Sequence, residues 1–217
     1  MNSITNNPAT RRGILGALLA TGATGLAAAT GTRMVDGVRP TGGQALSPEQ
    51  QQSRERLRQI RTPNELLVDH NGRSVRFYDD IMKDRKVVIN VMYTVCSNIC
   101  TPATRNLIEA QRLLGDEARD LHFVSMTLTP LDDNPVALRE YKKRHGIDER
   151  WTFLTGKVEN VEKVQRAMGF ISQRDTDDLL SHSGMARLCD EPNLKWTHLN
   201  TMVSGKSIAR MIRFELA

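Results

Sequence analysis

Residues 86–102 read Lys-Val-Val-Ile-Asn-Val-Met-Tyr-Thr-Val-Cys-Ser-Asn-Ile-Cys-Thr-Pro, and this stretch decides the fold. The run Val87–Met92 is apolar and β-branched, which is typical of a central strand buried on both faces. A helical pattern follows from about Pro102 to Leu114. Cys96 and Cys100 lie between the two patterns, so the stretch predicts a strand, a loop with two cysteines, and a helix.

Strand and helix patterns alternate through the middle of the chain. In order, the sequence predicts a strand at 121–126, a helix at 135–145, a strand at 151–156 and a helix at 158–168. Such alternation is typical of an α/β fold.

Additional strands are predicted on both sides of this region. The turn signal Asn71-Gly72 predicts a hairpin between 66–69 and 74–77. At the other end, Gly184–Cys189 and Thr201–Arg213 are predicted to form a closing antiparallel pair. The predicted fold is therefore a central mixed sheet flanked by helices, with an added N-terminal hairpin.

Residues 1–29 have the layout of an export signal. Arg11 and Arg12 precede a mildly apolar segment rich in Gly, Ala and Thr, and Ala27–Ala29 offers a small-residue cleavage site. The weakly hydrophobic segment favours the twin-arginine (Tat) route, and the alternatives are a Sec signal or an uncleaved anchor. Either route predicts a periplasmic protein, tethered to the membrane if the signal is not cleaved.

The remaining chain divides into a linker and one domain. Residues 30–61 are interpreted as a tether that contains a polar helix over Pro48–Ile60, capped by Ser47. Residues 62–217 are interpreted as the globular domain. No run of about 18 apolar residues follows the N-terminus, so no internal transmembrane helix is predicted.

The charge pattern argues against nucleic acid as a partner. The formal net charge is +5, and it falls to +3 without residues 1–29, which hold two arginines and no acid. The Lys and Arg residues are scattered, without a basic block interleaved with aromatic residues. The charge therefore indicates no specific anionic partner.

The cysteines are the residues most suited to chemistry. Cys96 and Cys100 lie where a strand ends and a helix begins, the usual place for binding and catalytic sites in open α/β sheets. A helix N-terminus favours thiolate over thiol, and two close thiolates make a soft pair of metal ligands. The spacing also permits redox cycling through a disulfide, and a structural disulfide or two buried thiols is the remaining alternative. Cys189 is predicted to be a buried bystander.

The candidates for a third ligand are five histidines, and spacing alone does not choose among His70, His122, His145, His182 and His198. His122 begins a buried strand and His145 ends a helix, so both are interpreted as structural. His182 lies in a polar turn between a helical region and a strand, from which its side chain could reach the cysteine loop. Structural zinc sites normally take four protein ligands, so two sulfurs and one imidazole suit copper better, as Cu(I) or Cu(II).

Several ordered motifs carry a family resemblance. They are Asp69–Phe77 (Asp-His-Asn-Gly-Arg-Ser-Val-Arg-Phe), Val87–Tyr93 continuing into Thr94–Pro102, Thr127–Pro135 (Thr-Leu-Thr-Pro-Leu-Asp-Asp-Asn-Pro), Trp151–Gly156 and His182-Ser183. Over about 62–217 the chain resembles the SCO/SenC family, the copper proteins of cytochrome c oxidase assembly. In that family, Pro commonly follows the first cysteine and an Asp often lies between the pair, whereas this chain has Ser97 and Asn98 at those positions.

The resemblance implies a thioredoxin-like fold and copper ligation by Cys96, Cys100 and His182. It also implies delivery of copper to the CuA site of the oxidase, or reduction of the cysteines of that site. The leading hypothesis is a periplasmic metallochaperone whose loops around Asp132, Asp133 and His182 present copper to the oxidase subunit or to another copper-receiving protein. The rival is a thiol-disulfide reductase in which both cysteines are catalytic, and a peroxidase-like thiol enzyme is a weaker third hypothesis.

Overall fold

A computed structural model of the chain describes residues 47–96, 98–171 and 184–217. These residues lie within one compact unit, 45–217. The predicted export signal and His182 lie outside the described residues, as does Ser97. In the described part of the chain, no helix combines the length and apolarity that crossing a membrane requires.

The strands of the described residues form one mixed sheet. In chain order they are β1 (Leu66–Asp69), β2 (Ser74–Arg76), β3 (Lys86–Met92), β4 (Leu121–Thr127), β5 (Thr152–Thr155), β6 (Met185–Asp190) and β7 (Lys195–Asn200). Their spatial order is β2-β1-β5-β4-β3-β6-β7. The central strands β3, β4 and β5 are parallel, and every other pair of neighbours is antiparallel. The predicted mixed α/β sheet is confirmed.

Helices cover both faces of the sheet. They are α1 (Pro48–Arg61), α2 (Cys100–Leu114), α3 (Pro135–Arg144), α4 (Val158–Ala167) and α5 (Gly205–Leu216). One core cluster joins α2, α3 and α5 to one face, and a second joins α4 and the helical turn Phe77–Met82 to the other. Alternate residues of β3 enter different clusters: Val88 packs in the first, and Val87 and Ile89 pack in the second. This alternation follows from the two-residue period of a strand, and it explains why the whole run is apolar.

The polar helix before the domain begins where the sequence predicts. The Ser47 side chain accepts a hydrogen bond from the Gln50 backbone N–H, and the Gln50 side chain accepts one from Ser47, which makes a capping box. None of the α1 residues is buried, in keeping with its polar composition. The Arg58 guanidinium nevertheless lies 3.7 Å from the centre of the Tyr78 ring, so α1 contacts the domain.

The predicted closing pair of strands is wrong in its second member. β6 pairs with β7, through Ala186 opposite Leu199, and not with residues 201–213. The later segment forms α5, whose buried Ile208, Ala209 and Ile212 repeat at helical spacing. The Ser204 side chain accepts a hydrogen bond from the Ser207 N–H, which supplies the helix N-cap.

Candidate metal centre

The cysteine loop leaves the carboxyl end of β3 and enters α2. Cys100 is the first residue of α2, two residues earlier than the sequence pattern predicts for the helix start. The Cys96 N–H donates to the Tyr93 carbonyl oxygen at 3.2 Å, and the Thr101 hydroxyl donates to the Cys96 carbonyl oxygen at 2.9 Å. Cys96 is therefore turned back against the first turn of the helix.

The two thiols share the amino end of α2. The Cys100 backbone N–H donates to the Cys96 sulfur at 3.2 Å. Neither cysteine forms a disulfide and both are buried, although Cys96 retains 7% of its surface and Cys100 only 1%. Cys96 is thus the more accessible of two close sulfurs.

The surroundings shift the acidities of the two thiols in opposite directions. Burial alone would raise the pKa of Cys96, but hydrogen bonds from the Cys100 side chain, from the backbone of Cys100 and Ile99, and from Tyr93 lower it below the usual value. Burial raises the pKa of Cys100 to about 12, and the hydrogen bond to Cys96 adds to this rise. The site therefore favours one thiolate, at Cys96, beside one protonated thiol.

Tyr93 is a site residue that the sequence reasoning missed. Its side chain hydrogen-bonds to Cys96, and this bond, together with burial, raises the Tyr93 pKa to about 12. The hydroxyl thus remains protonated near neutral pH and donates to the sulfur. The only signal in the sequence is that Tyr93 follows the central strand, three residues before the first cysteine.

Asp133 lies in a loop that is predicted to present copper, and its side chain is buried. Its carboxylate is buried, with 1% of the residue exposed, and it accepts hydrogen bonds from Thr94 after β3, from Thr127 at the end of β4 and from Thr129. Of the two neighbouring acids, only Asp132 is exposed. Asp132 is therefore the acid that this loop exposes at the surface, whereas the hydrogen-bond partners of Asp133 lie inside the domain.

The described histidines occupy separate places. His122 Nε2 pairs with the Thr152 hydroxyl at 2.9 Å, and the His145 ring lies 4.3 Å from that of Tyr141. His70 Nδ1 accepts the backbone N–H of Phe153 at 3.2 Å. These contacts agree with structural roles for all three.

A cavity of about 150 Å³ opens beside Cys100. Its wall includes Ile99 and Cys100 from the cysteine loop and the start of α2, and Arg187 and His198 from β6 and β7. His198 is thus the described histidine that shares a cavity wall with a site cysteine. Within the described residues, no group of three or more His, Cys, Asp or Glu side chains is placed to hold a metal ion. The Cys96 and Cys100 pair supplies two soft donors, and the predicted third ligand, His182, is not among the residues described.

Cys189 is a buried thiol, as predicted, and it lies away from the cysteine pair. It is completely buried in the core cluster on the α4 face, whereas Cys96 and Cys100 belong to the cluster on the α2 face. Burial raises the Cys189 pKa to about 12, so this thiol is chemically quiet near neutral pH.

Comparison with known families decides the class of this protein. The sequence model described as SCO1/SenC matches residues 55–216. The chain belongs to the SCO1/SenC family. An SCO2-like protein of Rickettsia conorii is 28% identical to this SCO1/SenC protein over 155 residues, which cover 69% of this chain and 74% of the relative.

Solved structures with the same fold accompany the family match. Bradyrhizobium japonicum ScoI, solved with copper bound, superposes with a TM-score of 0.58 at 20% identity, covering 71% of this SCO1/SenC chain and 98% of that one. BsSco, described as a member of the Sco family of cytochrome c oxidase assembly proteins with a disulfide switch, has a TM-score of 0.56 at 19% identity, covering 71% and 95%. At these identities the likeness establishes the thioredoxin-like fold of the Sco proteins.

Proposed function

We propose that this SCO1/SenC protein is an exported metallochaperone that carries copper to the CuA site of cytochrome c oxidase. Family membership supports the class of function. The observation that carries the proposal is the pair of thiols at the amino end of α2, where the Cys96 sulfur lies 3.2 Å from the Cys100 nitrogen. Two close sulfur donors are the ligands that soft Cu(I) prefers.

The proposed ligand set is Cys96, Cys100 and His182. Copper binding requires thiolates, and the lowered Cys96 pKa makes that sulfur available first. Cys100 then loses its proton to the solvent as the metal binds. A neutral imidazole from His182 would complete three-coordinate binding, which leaves copper open to attack by a ligand of the receiving protein.

Transfer to a partner would begin at the more accessible sulfur. Cys96 retains more exposed surface than Cys100, and the exposed residues Val95 and Leu131 lie on the adjoining loops, each 86% exposed. A thiol of the receiving protein could therefore replace Cys96 first, while Cys100 still holds the metal. We propose as partner the copper-site subunit of the oxidase or another copper-receiving protein.

The proposed location is the periplasm. Residues 1–29 supply a Tat-type signal and residues 30–61 a tether to the domain over 62–217. An uncleaved signal would add loose association with the membrane.

A thiol-disulfide reductase is the second candidate, because the two thiols are so unequal. The Cys96 thiolate would attack one sulfur of a client disulfide and release the other as a thiolate, forming a mixed disulfide. Cys100 would then lose its proton and attack Cys96, releasing the second client sulfur. Two electrons pass to the client, and Cys96 and Cys100 end as a disulfide.

Copper stoichiometry of the reduced full chain tests the proposal. We expect one copper per chain in the wild type, lost in Cys96→Ala and Cys100→Ala and weakened in His182→Ala. Cys189→Ala and His198→Ala are matched controls that should bind like the wild type, since neither residue is a proposed ligand. If the cysteine variants bind as the wild type does, the site is wrong. If the wild type binds no copper while its cysteine pair still reduces a client disulfide, the protein is a thiol-disulfide reductase and the metallochaperone proposal is wrong.

A further inference from the structure

The buried carboxylate of Asp133 joins the loops that follow β3 and β4. Oδ1 accepts the Thr94 hydroxyl at 2.5 Å, and the Thr94 backbone N–H lies 3.3 Å from Oδ1 and 3.2 Å from Oδ2. Oδ2 also accepts the Thr127 hydroxyl at 2.6 Å and the Thr129 hydroxyl at 3.2 Å. A carboxylate that accepts this many hydrogen bonds in the protein interior fixes the positions of its donors.

The hydrogen-bonded threonine nearest the site precedes Cys96 by two residues. Between Thr94 and Cys96 lies Val95, which is 86% exposed and therefore adds almost no packing. On the other side, Cys100 is fixed by its place in α2 and by its burial in the core. The position of Cys96 relative to Cys100 thus depends both on the local hydrogen bonds of Cys96 to Tyr93 and Thr101 and on where the Thr94 end of the loop is held.

We propose that Asp133 is a positioning residue for the cysteine loop. By holding Thr94, its carboxylate keeps the Cys96 sulfur at the amino end of α2, against the Cys100 N–H. Disulfide formation and two-sulfur copper binding both need the sulfurs close together, so loosening this end of the loop weakens both. The copper part of this inference rests on the proposed function, whereas the disulfide part does not.

The test compares Asp133→Asn with Thr94→Val and Thr94→Ser in the full chain. An amide at residue 133 cannot accept hydrogen bonds at its nitrogen, and Thr94→Val removes the hydroxyl donor while it keeps the backbone N–H. Thr94→Ser retains the hydroxyl. Asp69→Asn is the matched control, because Asp69 is equally buried and accepts hydrogen bonds from the backbone N–H groups of Asn71 and Arg73. It lies on β1, which β4 and β5 separate from β3.

Two equilibria are measured on each folded variant. The first is exchange with glutathione, in which the protein dithiol and oxidised glutathione give the protein disulfide and two reduced glutathione molecules. The second is Cu(I) affinity in competition with a chelator. Residues that orient metal ligands typically change affinity by about 10–100-fold, and we expect Asp133→Asn to lower Cu(I) affinity within that range. We also expect the glutathione equilibrium to shift toward the dithiol by about tenfold, because a displaced Cys96 sulfur weakens disulfide formation as it weakens copper binding.

The pattern across variants decides the inference. Thr94→Val should shift both equilibria in the same direction as Asp133→Asn, and Thr94→Ser should keep wild-type values of both. The double variant Asp133→Asn/Thr94→Val should show the same shifts as Asp133→Asn alone, because both changes break the same interaction. The inference is overturned if Asp133→Asn has wild-type equilibria or shifts toward the disulfide. It is also overturned if Asp69→Asn shifts the equilibria as much as Asp133→Asn does. If Asp133→Asn does not fold, Thr94→Val against Thr94→Ser decides the same point. A wild type that binds no copper refutes the proposed function, yet the glutathione equilibrium still tests Asp133.

Discussion

Alkylation of the reduced protein should single out Cys96, and the structure gives the size of the preference. The pKa of Cys100 is about 12 against an ordinary value of 9.0, so the thiolate fraction of Cys100 at pH 7 is about a thousandfold below that of an unperturbed cysteine. A more basic thiolate is also a better nucleophile, and a Brønsted coefficient of about 0.4–0.5 makes it about 16- to 32-fold more reactive over three pKa units. Cys100 should therefore react about 30- to 60-fold more slowly than an unperturbed cysteine.

Cys96 should react faster than either of the other cysteines. Its pKa is lowered and it keeps more exposed surface than Cys100, so ionisation and access act in the same direction. The assay is brief treatment with iodoacetamide, followed by proteolysis and mass spectrometry of the three cysteine peptides. Measured across a range of pH, the Cys96 rate should have its midpoint below 9.0, the ordinary value for a thiol.

The chain unfolded in urea is the control, because all three cysteines should then react at similar rates. Cys100→Ser should retain the fast reaction and Cys96→Ser should abolish it. Equal labelling of Cys96 and Cys100 in the folded protein would refute the reasoning. So would a Cys96 midpoint at or above that of the unfolded chain.

Three further predictions concern copper, the third cysteine and the packing of α2 on α5. Cys100 is protonated at neutral pH and must lose its proton to bind metal, so Cu(I) affinity should rise by at least about tenfold per pH unit between about pH 6 and 8. Chelator competition measures this, and an affinity independent of pH would exclude Cys100 as a ligand. Cys189→Ala should lower the free energy of unfolding by about 1 kcal/mol in urea titration, because it removes a buried sulfur, and should leave copper binding unchanged. Gly205→Ala should lower the free energy of unfolding by about 1–3 kcal/mol, seen as a lower Tm, because the new Cβ would lie 2.5 Å from Glu109 Cβ and 2.7 Å from the Asn106 carbonyl oxygen. An unchanged Tm would mean that α5 can move away from α2 without loss of stability.

The closing strands illustrate where sequence patterns fail. Residues 201–213 contain apolar residues that fit a strand or a helix, and the strand interpretation was wrong. The Ser204 cap and the packing of Ile208 and Ile212 against the core decide for the helix. Short apolar segments are ambiguous in this way because their final state depends on the surface that they meet.

The sequence by itself determined the strand, cysteine loop and helix, since an apolar β-branched run and a helical repeat are local patterns that directly reflect burial. It also determined the family, because the motifs keep their order along the chain, and the burial of Cys189. Only the tertiary structure decided which groups surround the sulfurs. The bond between Asp133 and Thr94 joins residues 39 positions apart, and it exists because parallel β3 and β4 end side by side, with Met92 opposite Thr127. No local pattern encodes that register, because it is set by the packing of the whole sheet.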